Sequence, residues 1–305
     1  RAHTPGHVEN IREAAESGPT WIDGDTVAGP DSYEVALRSA GAALIAVEIA
    51  AGFDPSPDGP PGAGVKPSTP GSAFALIRPP GHHATADRAM GFCLFSNAAI
   101  AARYAREQLG IERVAIFDWD VHHGNGTQDI LYDDPSVLFI SMHQWPLYPG
   151  TGWLDETGAG DGQGFTVNLP MPPGSGDREH REAFEAVVGP VLDRFDPGLL
   201  IVSAGQDGHA ADQLSSQLLT VSGYHWMAAA VAEFAAGKGI GVAALHEGGY
   251  NLETLPRLDH AILAGLAGFI PDLAEPAPVP DPGDIGWDER LSEIRRAQQP
   301  WWAGI

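Results

Sequence analysis

The sequence predicts an α/β fold: an open, mainly parallel sheet with helices on both faces. Three observations carry this. Apolar runs of strand length alternate with helical patterns along the 305 residues. The strand-like runs, such as "VAIF" and "GLLIV", are continuous and rich in β-branched residues, as strands covered on both faces are. Each unusual polar cluster follows directly on such a run, and open parallel sheets bind ligands beyond the carboxyl ends of their strands.

Taken in order, "YEVALRSAGAALIAVEIAAG" (residues 33–52) reads as a helix stopped by glycine. "SAFALIRPPG" (72–81) reads as a strand running into a loop, and "SNAAIAARYAREQLG" (96–110) as a helix with Ser96 as N-cap and Gly110 as stop. "VAIF" (114–117) and "SVLFISMH" (136–143) are strands. "DREHREAFEAVVGPVLDRF" (177–195) is helical, with Phe184, Val188, Val191 and Phe195 on one stripe. "GLLIVSAG" and "GIGVAALHEGG" are strands with a helix over 221–236 between them. Two Pro/Gly-rich segments, 55–71 and 271–284, read as exposed loops. Neither separates two evident cores, and no repeat of solenoid period stands out, so one domain over 1–305 is expected.

Composition narrows the function classes. The chain is 43% hydrophobic, enough for one large core or two modest domains, and has no run of 18 apolar residues. No basic leader with an apolar stretch behind it is visible, and Cys93 is the single cysteine, so a cytoplasmic location is the default. The formal charge is −23, with only two lysines, Lys66 and Lys238. Such a surface repels nucleic acid; it suits a cationic substrate as well as plain solubility.

The polar clusters carry the chemistry. They are "RPPGHHA" with His82 and His83, "DWDVHHGNG", "SMHQWPLYPGTG", "SAGQDGHAAD" with Asp207, and "LHEGGYN" with Tyr250. In the stretch "VAIFDWDVHHGNGTQ" (114–128) a buried strand ends in Asp118, Asp120, His122 and His123. If the strand ran on that far, Asp118, Asp120 and His122 would share a face. Buried carboxylates must be paired or hold a metal. A D-x-H pair with a later aspartate suits zinc, and three protein ligands leave a position open for water. Spacing alone leaves a satisfied polar turn open; the tandem histidine and the Gly-Gly-Tyr end make the combination more specific.

On the stretches "HTPGHV", "RPPGHHA", "RAMGFCLFSNAAIAA", "FDWDVHHGNGTQ", "FISMHQWPLYPGTG", "VNLP", "SAGQDGHAAD" and "HEGGYN", the chain resembles the zinc-dependent histone deacetylase superfamily, which includes acetylpolyamine amidohydrolases. The wording is nearest the class II branch and its bacterial homologues. The resemblance implies an arginase–deacetylase fold, with Asp120, His122 and Asp207 as zinc ligands and His82 and His83 as general base and acid. Asp118 would orient His82, Asn125 would partner His83, and Tyr250 would bond the substrate carbonyl. Gly91 and Phe92 would line an acyl-lysine tunnel opposite Tyr148. It further implies K⁺ at Asp118, Asp120, His122, Ser141 and Met142, and a second K⁺ at Leu131, Asp134, Val137 and Phe165, partly through backbone carbonyls. Family chains carry a strand and a loop before "HTP", which this chain is expected to lack.

Other polar residues read more plainly. His123 and His143 are expected to bond locally; His3, His180, His225 and His260 to be surface or helix residues; Cys93 to be a small buried residue. His209, Trp301 and Trp302 stay open. Gln206 stands where the family commonly has phenylalanine, and Glu247 is expected near the tunnel. The expectation is a deacetylase acting on acetyl-lysine in a protein or peptide, with an acetylpolyamine as the rival substrate. Rivals of other kinds are a non-catalytic acyl-lysine-binding module and a two-manganese ureohydrolase. The latter needs further bridging aspartates that the sequence does not offer.

Overall fold

The computed structural model describes residues 2–54 and 69–305. In chain order the elements are α1 (Pro5–Glu16), β1 (Thr20–Trp21), β2 (Val27–Ala28), α2 (Ser32–Ala50), β3 (Ser72–Ala75), α3 (Asn97–Glu107), β4 (Val114–Asp118), α4 (Asn125–Leu131) and β5 (Val137–Gln144). There follow β6 (Thr166–Met171), α5 (Asp177–Ala183), α6 (Gly189–Phe195), β7 (Leu199–Ala204), α7 (Val221–Lys238), β8 (Val242–His246), α8 (Leu255–Ala267) and α9 (Trp287–Gln298). The expected loop over 55–71 lies almost wholly outside the described residues, whereas 271–284 is irregular as expected.

Six strands form one sheet in the order β3-β8-β7-β4-β5-β6, and all five pairings are parallel. The pleat of β4 sorts its residues between two cores. Ala115 and Phe117 join the layer built with α5–α9, while Val114 and Ile116 join the layer built with α2, α3 and α4. Truncating a fully buried residue such as Ile116 to alanine costs about 2–5 kcal/mol. Helix α3 presents Ala98, Ala99, Ala101, Ala102 and Ala105, all buried, so its backbone lies close on the sheet.

Helix ends follow the local chemistry. Ser96 Oγ accepts the Ala99 N–H, and Thr220 Oγ1 accepts that of Gly223, capping α3 and α7. The C-cap of α3 is Gln108, so Gly110 follows the stop rather than making it. The run 177–195 is helical but not uniformly α: Phe184–Val188 forms a π segment between α5 and α6. Pro190 lacks an N–H for the ladder, and the wider turn just before it accommodates that loss. The expected stripe of Phe184, Val188, Val191 and Phe195 does face the core. No described helix is long and apolar enough to cross a membrane.

The sheet order fixes where chemistry can occur. The chain passes from the edge strand β3 to the interior strand β4, and β7 and β8 later fill the space between them. The carboxyl ends of β4, β7 and β8 are therefore neighbours, although they lie far apart in sequence.

Candidate active site

Strand β4 ends at Asp118, so the pleat does not align Asp120 and His122 with it; this corrects the expectation of a shared strand face. Two successive side-chain turns place them instead. Asp118 Oδ1 accepts the Asp120 N–H at 3.1 Å, and Asp120 Oδ1 accepts the His122 N–H at 2.9 Å. Asp207, beyond β7, accepts the Val121 N–H at 3.0 Å through Oδ1. His122 Nδ1 then lies 3.1 Å from both Asp120 Oδ1 and Asp207 Oδ2. One ligand atom from each of these three buried residues falls within 4.8 Å of the others. Gly248 closes the set: its N–H donates to Asp120 Oδ2 at 2.7 Å, and a Cβ there would collide with Asp207 Oδ2.

The electrostatics of this set call for a cation. Burial, then the charge of Asp120, pushes Asp207 up to about 6. Burial opposes charge on His122, yet Asp120 and Asp207 draw it up to about 10. Positive charge is thus pulled to the point the three residues share. Two carboxylates and one imidazole suit a divalent ion with open coordination positions, zinc among them.

The tandem histidines sit beside this point. His82 Nδ1 is 3.0 Å from Asp118 Oδ2, and His83 Nδ1 is 2.7 Å from Asn125 Oδ1. The two ring centroids are 4.0 Å apart. Burial works against charge on His82, but Asp120 and then Asp118 outweigh it and hold the ring well above its ordinary value. Burial, then His82 and His122, holds His83 well below. Glu247, expected near the tunnel, lies behind its wall rather than in its lining. It is fully buried behind the histidine loop, where Oε2 accepts the N–H groups of Gly81 (2.6 Å) and His82 (3.1 Å) and Oε1 accepts the Ser203 hydroxyl.

Above the histidines opens a cavity of about 260 Å³, with His83 and His122 among its lining. Gly91, Phe92 and Tyr148, the residues that the resemblance assigns to a tunnel, line it together with Tyr250. Gly91 has φ +56° and a Cβ there would strike the His83 ring, so only glycine fits. Phe92, at φ +66°, donates its N–H to Thr26 Oγ1 at 3.0 Å and packs 5.7 Å from the Tyr250 ring. The Tyr148 ring stands edge-on to His83 at 5.1 Å. Burial, then Asp207 and Asp120, keeps the Tyr250 phenol well above its ordinary value, hence protonated and able to donate. A larger groove of about 600 Å³ beside Trp226 and Phe234 brings together no comparable set.

Asp25, Leu147 and Leu214 line the cavity without having been foreseen. For Asp25 the signal was "DGDT", whose Asp23 Oδ1 accepts the Asp25 and Thr26 N–H groups and turns Asp25 toward the mouth. Leu147 stands beside Tyr148 within "SMHQWPLYPGTG", whereas Leu214 lies outside the polar clusters and gave no signal. Ser141 pairs with Asp118 across β4 and β5, which brings Ser141 and Met142 beside the Asp118–His122 turn. Leu131, Asp134 and Val137 lie on two successive turns, closed by the Asp134 N–H to the Leu131 carbonyl and the Val137 N–H to the Asp134 carbonyl, and the Phe165 carbonyl accepts the Phe139 N–H two residues on.

His123 and His143 bond locally, to Thr151 and Gln128 and to Ser141 and Gly152. His180 lies in helix α5, as a helix residue was expected to, while His3 differs from expectation in tying two loops together. His180 is buried with Nδ1 on the Gly176 carbonyl, and His3 bridges the Thr85 carbonyl and the Ser96 N–H. His209 is buried against Glu275, Cys93 is buried, and the Trp302 indole donates to the Gly164 carbonyl.

Comparisons with known proteins agree with this geometry. The chain is 40% identical to the protein named histone deacetylase 10, chloroplastic, of Oryza sativa subsp. japonica, over 97% of this chain and 65% of that one. It is 41% identical to a probable deacetylase of Archaeoglobus fulgidus (88% and 70%), and 36% identical to a histone deacetylase-like amidohydrolase of Pseudomonas aeruginosa (90% and 69%). The chain thus spans about two thirds of the length of these relatives. A crystal structure of the HDA15 HD domain superposes with a TM-score of 0.83 at 35% identity, covering 99% of this chain and 78% of that one; its family's arginase–deacetylase fold is the fold seen here. Residues 1–266 match the histone deacetylase domain family, and with the relatives this places the chain in that family of deacetylases and amidohydrolases, as a hydrolase.

Proposed function

We propose that this protein is a zinc-dependent deacetylase that hydrolyses the amide of acetyl-lysine side chains in peptides or proteins. One observation carries the reading. Two histidines with opposite electrostatic bias stand beside an Asp-His-Asp set, below a cavity with aromatic walls. Asp120, His122 and Asp207 would hold the zinc, whose chemistry is to polarise the amide carbonyl and a water molecule.

The remaining work falls to the chain's own groups. His83 Nδ1–H donates to the Asn125 oxygen, which leaves Nε2 free to accept a proton from the attacking water. The same ring then returns that proton to the lysine nitrogen as the C–N bond breaks, giving acetate and an amine. His82, paired with Asp118, keeps its charge and stabilises developing negative charge. Tyr250 O–H donates to the carbonyl oxygen as that atom becomes anionic. Phe92 and Tyr148 flank the four-carbon stem of the side chain and exclude water from it. Backbone carbonyls around Ser141 and Met142, and around Leu131 and Asp134, suit K⁺.

Asp25 at the cavity mouth favours a second reading, because a carboxylate there suits the distal ammonium of an acetylated polyamine. Rates on matched acetyl-lysine peptides and on acetylputrescine and acetylspermidine at one ionic strength test the choice. The peptide should have the higher kcat/KM; a tenfold preference for the polyamine reverses the substrate assignment. Absence of hydrolysis of either by the zinc-loaded protein would leave a binding module.

A further inference from the structure

Tyr250 follows a glycine pair, and Gly249 has φ +131°. Such a joint sets the course of the chain loosely, so bonds beyond it must fix the phenol. One side chain supplies most of them. Asp212, 8% exposed, accepts the N–H of Tyr250 at 2.7 Å and that of Asn251 at 3.1 Å through Oδ2. Its Oδ1 accepts the N–H of Leu214 at 3.0 Å, and Leu214 lines the same cavity as Tyr250. Two further bonds tie the segments together: Asn251 Nδ2 donates to the Ala211 carbonyl at 2.7 Å, and Gln213 Nε2 donates to the Tyr250 carbonyl at 3.3 Å. Asp212 itself neither lines the cavity nor belongs to the Asp-His-Asp set.

We infer that Asp212 is a positioning residue for the reaction: its carboxylate fixes both the oxyanion donor Tyr250 and the wall residue Leu214 through their backbone N–H groups. The inference rests on the reading of Tyr250 as that donor. An ionised acceptor suits the task, since charge-assisted bonds to N–H are shorter and roughly twice as strong as neutral ones. A neutral apolar residue here would leave three N–H groups without their acceptor and free the phenol to swing at Gly249. A displacement of the order of 1 Å at such a group costs roughly 10²-fold in rate.

A purely structural aspartate would also lower activity when removed, so the test is a double-mutant cycle. Turnover of one acetyl-lysine peptide is measured for the zinc-loaded parent, Asp212→Ala, Tyr250→Phe and the double variant. Zinc content and amide hydrogen exchange at Tyr250 and Asn251 are followed alongside. Asp212→Ala should lower kcat roughly 10–100-fold in the parent and change it by less than about twofold once Tyr250 is Phe. Zinc content should hold, and exchange at the two amides should quicken. An equal loss in both backgrounds, or none in the parent, overturns the inference. Parent-like turnover in Tyr250→Phe alone overturns the oxyanion reading, and this inference with it. If Asp212→Ala does not fold, Asp212→Asn, which keeps one acceptor oxygen and loses the charge, is read in the same two backgrounds by the same criteria.

Discussion

Changing Asn125 to Asp should move the acidic limb of the pH–rate profile upward. The structure holds the comparison already. His82, 3.0 Å from an Asp118 oxygen, is held well above its ordinary value, and His83, 2.7 Å from the Asn125 oxygen, well below. A new carboxylate about 4 Å from the His83 charge contributes about 4 kcal/mol at an effective dielectric of about 20. That is about 3 pKa units at 1.36 kcal/mol per unit. Burial of the new anion opposes it, which leaves a rise of about 1–3 units. The sign follows from the role. A base must be neutral to act, so raising its pKa shifts the acidic limb of kcat/KM to higher pH. Activity falls at neutral pH and recovers on the alkaline side. A bound cation acts on both proteins alike and leaves the difference. The assay is kcat/KM for an acetyl-lysine peptide across pH, with zinc content checked in both proteins. The limb belongs to the histidine pair rather than to one ring, and the exchange acts most strongly on the ring in contact with residue 125, His83. An unmoved limb with equal zinc content refutes His83 as the base.

Three other outcomes follow from the same geometry. Asp207→Ala removes one of three ligands and should abolish zinc retention and turnover together; full metal content in that variant, measured by elemental analysis, would sink the ligand assignment. Tyr250→Phe should keep zinc and still bind a hydroxamate, while turnover falls roughly 10²–10³-fold, the cost of one oxyanion donor. His246 is buried, with Nε2 unpartnered among the described residues, and burial followed by Arg78 lowers it to about 4. Between that value and the unfolded value of 6.5 the unfolded chain binds the extra proton, so this histidine makes stability fall as pH falls. His246→Gln should make that fall shallower by up to about 1.4 kcal/mol per pH unit, read from urea midpoints in this window.

The fold class and much of the candidate site were legible in the chain itself. Continuous β-branched runs require a sheet covered on both faces, and polar residues directly after such runs require a site at the strand ends. Asp120, His122 and Asp207 stood out because buried charge is too costly to place without a partner, whereas the roles expected of the two histidines and Tyr250 came from the resemblance of their motifs to the family's. Three things were settled only in three dimensions. The pleat ends at Asp118, so side-chain turns, not strand alternation, aim Asp120 and His122. Glu247, beside the glycine pair in sequence, points behind the histidine loop, because the side chain of a residue at a strand end is directed by what packs there. Asp212 closes the motif "SAGQDGHAAD" after β7, but it meets Tyr250 only because β7 and β8 are neighbours in the sheet; Asp25 and Leu214 reach the cavity from outside the polar clusters. A sequence records which residues are costly to bury; which distant backbone N–H groups a carboxylate collects depends on strand order, which local pattern does not encode.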